Sequence, residues 1–250
     1  MDKLIFTSLS GQKYIDQRVQ QISNEIANVS TTGFKREFAA ATQTYRYDGD
    51  GFKSRYVSVV SPTARVDLAD GPMQSTGRPL DIAVGGNQLL AVLTDKGDVA
   101  YTRRGDVSVG ADGLLRVGSG ERLASDSGTP ISIPALTEIK IGPDGTVLGR
   151  QGAGEAVIFQ PIARVQVVGA EPEKVVLRPD GLYGSSDGQP FQAAETPVVQ
   201  SGVLEGSNVS LFSAMVDMIS MSRRYEMQVK VLKQTSDLAE RSQSLARLSQ

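Results

Sequence analysis

The sequence predicts a mainly β protein with long terminal helices: an antiparallel β domain in the middle of the chain, and N- and C-terminal α-helices that pair in a coiled-coil-like manner. Three observations carry this. Near the start, Ile15, Val19, Ile22, Ile26 and Val29 recur at spacings of four, three, four and three, which is the stripe of an amphipathic helix. Through the middle, short apolar runs are separated by Asp-Gly pairs, the pattern of strands joined by tight turns. After Ser210 a second helical stretch, rich in methionine and valine, runs towards the end.

Residues 1–35 are assigned to the N-terminal helix. Ile5 lies on the same track as the stripe. The helix is expected to stop where Ser30, Thr31 and Thr32 compete for backbone hydrogen bonds and Gly33 takes the left-handed conformation that closes a helix. Phe34 then folds back beyond the cap, and a valine at position 33 is expected to harm assembly more than it harms the β domain. Residues 36–75 read as an extended connector, with turns at Asp50-Gly51 and Asp70-Gly71 and a strand over 55–60.

The β domain is placed at 76–205. Its strand candidates are L-D-I-A-V (80–84), Q-L-L-A-V-L (88–93), V-S-V (107–109), L-L-R-V (114–117), I-S-I (131–133), I-K-I (139–141), A-R-V-Q-V-V (163–168) and K-V-V-L (174–177). Turns are expected at Asp112-Gly113, Asp144-Gly145, Asp180-Gly181 and Asp187-Gly188. A segment of about 125 residues is long enough to fold alone.

Residues 206–250 are assigned to the C-terminal helix, with Ser207, Asn208 or Ser210 as its cap. Leu211, Met215, Met218, Tyr225, Val229, Leu232, Ala239 and Ala246 continue a heptad track, interrupted by Ser222, Ser236 and Gln243. Phe212, Val216 and Ile219 flank it on one side, Val231, Leu238 and Leu245 on the other. One partner helix cannot cover both flanks. At about 1.5 Å per residue, helices of roughly 26 and 38 residues span about 39 and 57 Å, so part of the second must find cover elsewhere. Both ends are therefore expected to gain their order by packing against neighbouring subunits.

Several function classes are excluded by composition. The chain has no histidine, hence no usual general base, no commonest zinc ligand and no middle member of a serine triad. It has no cysteine, so no thiolate nucleophile and no disulfide. A net charge of −2 without tryptophan provides neither the field nor the stacking platform that nucleic acid needs. G-S-S-D-G at 184–188 fits G-x-S-x-G but reads as a polar turn rather than a nucleophile elbow. Asn28-Val29-Ser30 and Asn208-Val209-Ser210 match the glycosylation acceptor and read as helix-end capping. The expectation is no catalytic residue, no cofactor and no metal. No segment has the length of a membrane span, the longest apolar run being 89–93, and the start lacks the apolar region of a secretory signal.

The ends also carry a resemblance. I-S-N-E-I-A-N-V-S-T-T-G-F-K at 22–35 and S-G-V-L-E-G-S-N-V at 201–209, followed by R-R-Y-E-M-Q-V-K-V-L, are similar to the opening and closing signatures of the bacterial flagellar basal-body rod and hook family. T-G-R-P-L-D-I-A-V at 76–84 and Y-T-R-R-G-D at 101–106 resemble its internal blocks, so the likeness covers nearly the whole chain. Two departures keep apolar bulk: Gln88-Leu89-Leu90 stands where the family has G-F-F, and Ile26 where it has leucine.

The wording of the C-terminal signature and the short connector are most similar to the proximal-rod branch, with the distal-rod branch as runner-up. The resemblance implies a non-enzymatic axial subunit of the rod, in the periplasmic space. Its partners would be itself, other rod subunits and the flagellar type III export apparatus, which needs no cleaved signal. The terminal helices would form an inner domain lining a tube. The assembly residues carried over are Asn24, Ala27, Asn28, Thr31, Gly33, Phe34 and Lys35 at one end, and Leu204, Glu205, Ser207, Asn208, Val209, Arg224, Tyr225 and Glu226 at the other. A monomeric β-domain binding module is the remaining alternative.

Overall fold

The computed structural model describes residues 2–38, 43–46, 57–60, 65–134, 138–150 and 158–248, with side chains for 11–38, 65–134, 138–150 and 158–237. The chain opens with α1 (Asp2–Ala27), β1 (Glu37–Phe38), β2 (Gln43–Arg46), β3 (Val57–Val60), β4 (Arg65–Val66) and β5 (Met73–Ser75). Then come β6 (Ile82–Val84), β7 (Gln88–Leu93), β8 (Val99–Thr102), β9 (Val107–Val109), β10 (Leu115–Val117) and β11 (Arg122–Leu123). A further set follows: β12 (Glu138–Ile141), β13 (Thr146–Arg150), β14 (Gln160–Arg164), β15 (Val167–Gly169), β16 (Val175–Leu177) and β17 (Tyr183–Ser185). The end is β18 (Val199–Ser201), β19 (Val203–Glu205) and α2 (Leu211–Leu248).

Two compact units result. The first holds residues 1–27, 39–63 and 210–250; the second holds 28–38 and 64–209.

In the first unit α1 and α2 lie against each other. Gly11 of α1 faces the amide of Gln228 on α2. Gly11 stands sixteen residues before the end of α1 and Gln228 seventeen after the start of α2. On α1 the stripe is where its spacing puts it: Ile15 and Ile22 are buried, and Val19 and Ile26 half-buried. Ile5 lies outside the described side chains.

On α2 the seam differs from the expected heptad track. The least exposed positions are Ala214, Asp217, Met218, Met221, Gln228, Leu232 and Thr235, whereas Leu211, Met215, Tyr225 and Val229 are exposed. Apolar residues surround the first turns of α2 on nearly every side, so hydropathy alone does not single out a face. Ala239, Ala246, Leu238 and Leu245 lie outside the described side chains. Ser210 is the cap: its carbonyl accepts from the Ala214 N–H at 3.0 Å and its hydroxyl from the Ser213 N–H at 3.4 Å. Also in this unit, β2 and β3 form an antiparallel ladder from Gln43↔Val60 to Arg46↔Val57. The expected strand at 55–60 thus begins, as far as described, at Val57; the Asp50-Gly51 turn lies outside the described residues.

The second unit is built on a sheet with strand order β16-β17-β8-β7-β11-β10-β9, in which β15 also pairs β7. Every ladder among the described residues is antiparallel. Strand β7 explains its own sequence. Leu90 and Val92 enter one core with Ile82, Val107, Leu115 and Leu123, while Leu89, Ala91 and Leu93 enter a second with Val66, Leu68, Val168 and Val175. A strand covered on both faces reads as a continuous apolar run. A smaller sheet, β12-β13-β14, and the pairs β18-β6, β19-β5 and β1-β4 complete the unit.

Asp112, Asp144, Asp180 and Asp187 each accept, through a side-chain oxygen, the N–H two residues on, the local bond that makes Asp-Gly a turn. Two strand expectations need correction. A-R-V-Q-V-V is split, with β14 ending at Arg164 and β15 opening at Val167, because Val165 instead bridges Ser125. I-S-I at 131–133 contributes only an isolated bridge, Leu114↔Ser132. Nor is 36–75 merely a connector, since Val66 and Leu68 belong to the second core.

Candidate functional site

Both terminal signatures enter the second unit, and they meet there. The N-terminal one supplies Gly33, Phe34, Lys35 and Arg36; the C-terminal one supplies Glu205 and Asn208. Helix α1 ends at Ala27, so Gly33 is not the helix cap that its neighbours suggest. Its φ of 67° is positive as expected, but the reason is proximity: a Cβ there would lie 2.4 Å from the carbonyl carbon and oxygen of Arg103. The Gly33 N–H donates to the Glu205 carbonyl at 2.7 Å.

Around this crossing sits a buried ion cluster. Lys35 Nζ donates to Glu205 Oε1 at 2.6 Å, to the Ala69 carbonyl at 2.7 Å and to the Leu68 carbonyl at 3.5 Å. Arg103 Nε donates to Glu205 Oε2 at 2.8 Å, and Nη2 reaches Asp70 Oδ1 at 2.6 Å and Glu205 Oε1 at 3.3 Å. Arg103 Nη1 donates to the carbonyls of Gly86 and Gln88 at 2.8 and 2.6 Å. The Gly71 N–H adds a fourth donor to the Glu205 carboxylate at 2.8 Å. The Lys35, Arg103 and Glu205 side chains are fully buried, and Asp70 is half-exposed.

Two cations thus share one buried carboxylate and one at the rim. Such groups are tolerable inside a protein only when charge and hydrogen bonds are both matched. Burial is the main influence on Lys35 and holds its ammonium below the ordinary lysine range; the bond to Glu205 opposes this and the Arg103 charge reinforces it. Burial pushes the Tyr183 phenol well above the usual tyrosine value, while its oxygen accepts from the Lys35 N–H at 3.1 Å.

Asn208 extends the junction. Its side-chain oxygen accepts from the Arg36 N–H at 2.8 Å, and its amide donates to the carbonyls of Asp67 and Ala69 at 2.9 and 3.2 Å. Its backbone N–H donates to the Phe34 carbonyl at 3.3 Å. Asn208 is therefore engaged here and not at the start of α2, where Ser210, of the three cap candidates Ser207, Asn208 and Ser210, is the one used. Ser207 accepts the Val209 N–H at 3.2 Å, and Val209 is buried. Leu204 pairs with Gln74 in the β19-β5 ladder. Asn28 accepts twice from Thr31, at 3.1 Å through its carbonyl and 3.2 Å through its side chain.

The remaining motif residues do not join this cluster. Asn24 and Ala27 are exposed on the last turns of α1, and Arg224, Tyr225 and Glu226 are exposed on α2. Residues that sequence reasoning missed are Arg103, Asp70, Gly71 and Tyr183. Arg103 had a signal, since it lies in Y-T-R-R-G-D, where a charged pair directly follows a buried strand. The G-S-S-D-G segment closes β17 and turns at Gly188; it forms no strand-to-helix elbow.

Residues 83–149 match the flagellar hook protein FlgE/F/G D1 domain, and residues 200–245 match the flagellar basal body rod FlgEFG protein C-terminal region. Arg103 lies in the first match and Glu205 and Asn208 in the second. Flagellar basal-body rod protein FlgF of Escherichia coli (strain K12) is 35% identical over 100% of both chains, and FlgF of Salmonella typhimurium is 33% identical over the same share. FlgG of Bacillus subtilis is 27% identical over 99% of this chain and 100% of its own. The chain, matched from end to end with its two signatures joined in one buried cluster, belongs to the flagellar basal-body rod protein family and is FlgF-like within it.

Proposed function

We infer that this chain is a structural axial subunit of the bacterial flagellar basal-body rod, acting in flagellum-dependent motility. The observation that carries this is the full-length likeness to FlgF. The higher identity to FlgF than to FlgG, 35% against 27%, favours the proximal over the distal rod. Its role is mechanical and not enzymatic.

Assembly proceeds through the terminal helices, paired as a coiled coil that forms the inner domain and lines the export channel. What supports this is the surface of α2. Phe212 is 78% exposed and Ile219 55%, and Met215, Val216, Tyr225, Met227, Val229 and Val231 are also exposed. An apolar surface of this extent is uncommon on a monomer. Its partners are further copies and other axial subunits, with Arg224, Tyr225 and Glu226 among the contact residues. The chain reaches the periplasmic rod through the flagellar type III apparatus, and helices that gain order from neighbours suit that passage. Electron microscopy of basal bodies from a strain lacking this chain tests the reading. Rods should be absent or truncated and return with the full chain, but not with a chain cut before residue 211. Complete rods in the deletion strain would overturn it.

A further inference from the structure

The ion cluster is asymmetric in sequence. Both buried cations, Lys35 and Arg103, precede the carboxylate they share, by 170 and 102 residues. As the chain is made from its N terminus, the two cations and the rim carboxylate of Asp70 exist long before the buried carboxylate of Glu205. Among the described residues the strands that lead to Glu205 lie outside the main sheet, β18 pairing β6 and β19 pairing β5; Val199 of β18 is still part of the first core, so the segment free of that core is 203–209.

We propose that residues 203–209 form a late-closing strap, and that the second unit stays open at its N-terminal segment until Glu205 arrives to neutralise a waiting pair of cations. Without Glu205, the like charges of Lys35 and Arg103 are left with the half-exposed Asp70, which Arg103 holds at 2.6 Å. Like charges so placed repel, so residues 28–38 do not settle against Arg103. Four amides report closure directly. Gly33 donates to the Glu205 carbonyl, Gly71 to its carboxylate, Arg36 to the Asn208 side chain, and Asn208 to the Phe34 carbonyl. The sheet supplies the reference: the Ala91 N–H donates to Gln166 and the Leu115 N–H to Ile131. Closure of the strap therefore fixes, last, the two segments continuous with α1 and α2. This is a property of the folded chain and holds whatever it assembles into.

Hydrogen exchange on the full-length monomer tests it, comparing Glu205→Gln with Lys35→Met/Glu205→Gln. In the single variant the amide nitrogen of glutamine faces the Arg103 donor and the cations lose their shared charge. The four latch amides should exchange about tenfold faster or more while Ala91 and Leu115 keep their protection, as in opening of one cooperative segment. The double variant removes one cation with the carboxylate, leaving Arg103 matched by Asp70. It should recover at least about threefold of the lost protection, a non-additivity expected of groups in one network. Three results would each overturn the proposal: all amides accelerating together, including through global unfolding; latch amides unchanged in the single variant; or a double variant at least as open as the single.

Discussion

Replacing Gly33 with alanine places a methyl group 2.4 Å from the carbonyl carbon and oxygen of Arg103 and 2.6 Å from the Arg104 nitrogen. All three are backbone atoms, so no side chain can swing away. Two costs add. A left-handed conformation is about 1–2 kcal/mol worse for alanine than for glycine, and overpacking a rigid site costs about 1–3 kcal/mol. The expected loss for Gly33→Ala is therefore about 2–5 kcal/mol. Gly77 is an internal control: its φ is 69°, yet nothing lies within 4 Å of a Cβ there, so Gly77→Ala should lose only the first term. Urea unfolding of both full-length variants, with midpoints and slopes compared, separates the two contributions. Because Gly33 packs within the second unit, a β-branched residue at 33 should also cost that unit stability, beside the greater harm to assembly expected from the sequence. Gly33→Ala no more destabilising than Gly77→Ala would refute the reasoning.

Alkali should weaken the fold through Tyr183. Its folded pKa lies above the unfolded 10.0, so its contribution is intact below that pH and is lost above it, at up to about 1.4 kcal/mol per pH unit. Lys35 has the opposite sign, being lowered from 10.5, and adds stability as pH rises towards that value. Chemical denaturation between pH 8 and 11.5 should show a shallower alkaline fall in Tyr183→Phe and a smaller preceding rise in Lys35→Met. Ser210→Ala removes the cap of α2 and should cost about 1 kcal/mol, read as lost helical ellipticity on heating. Phe212→Ser with Ile219→Ser should leave monomer stability within about 0.5 kcal/mol per site, since both side chains are exposed, yet abolish polymerisation in sedimentation assays. Loss of monomer stability with polymerisation intact would reverse that assignment.

Much of the fold was legible because single elements announce themselves. The stripe from Ile15 to Ile26 marked one face of α1, and the uninterrupted Q-L-L-A-V-L run marked a strand buried on both sides. The face of α2 was not legible, since apolar residues at 211, 212, 215, 216, 218 and 219 compete and the seam is made partly of Ala214, Gln228 and Thr235. The junction was half legible. Gly33, Lys35, Glu205 and Asn208 stood out by motif, but nothing local indicates that Lys35 and Glu205, 170 residues apart, share a bond. Arg103, Asp70 and Tyr183 were hidden for the same reason: a buried charge is recognised by its partners, and partners across a sheet leave no spacing in the sequence.

Photo-crosslinking from position 219 in intact basal bodies tests most directly whether the exposed face of α2 is where subunits join. With a photoreactive residue in place of Ile219, irradiation of assembled rods should yield covalent adducts to a second axial subunit. Rods that form normally but yield only uncrosslinked chain, or crosslinks confined within one chain, would contradict the account.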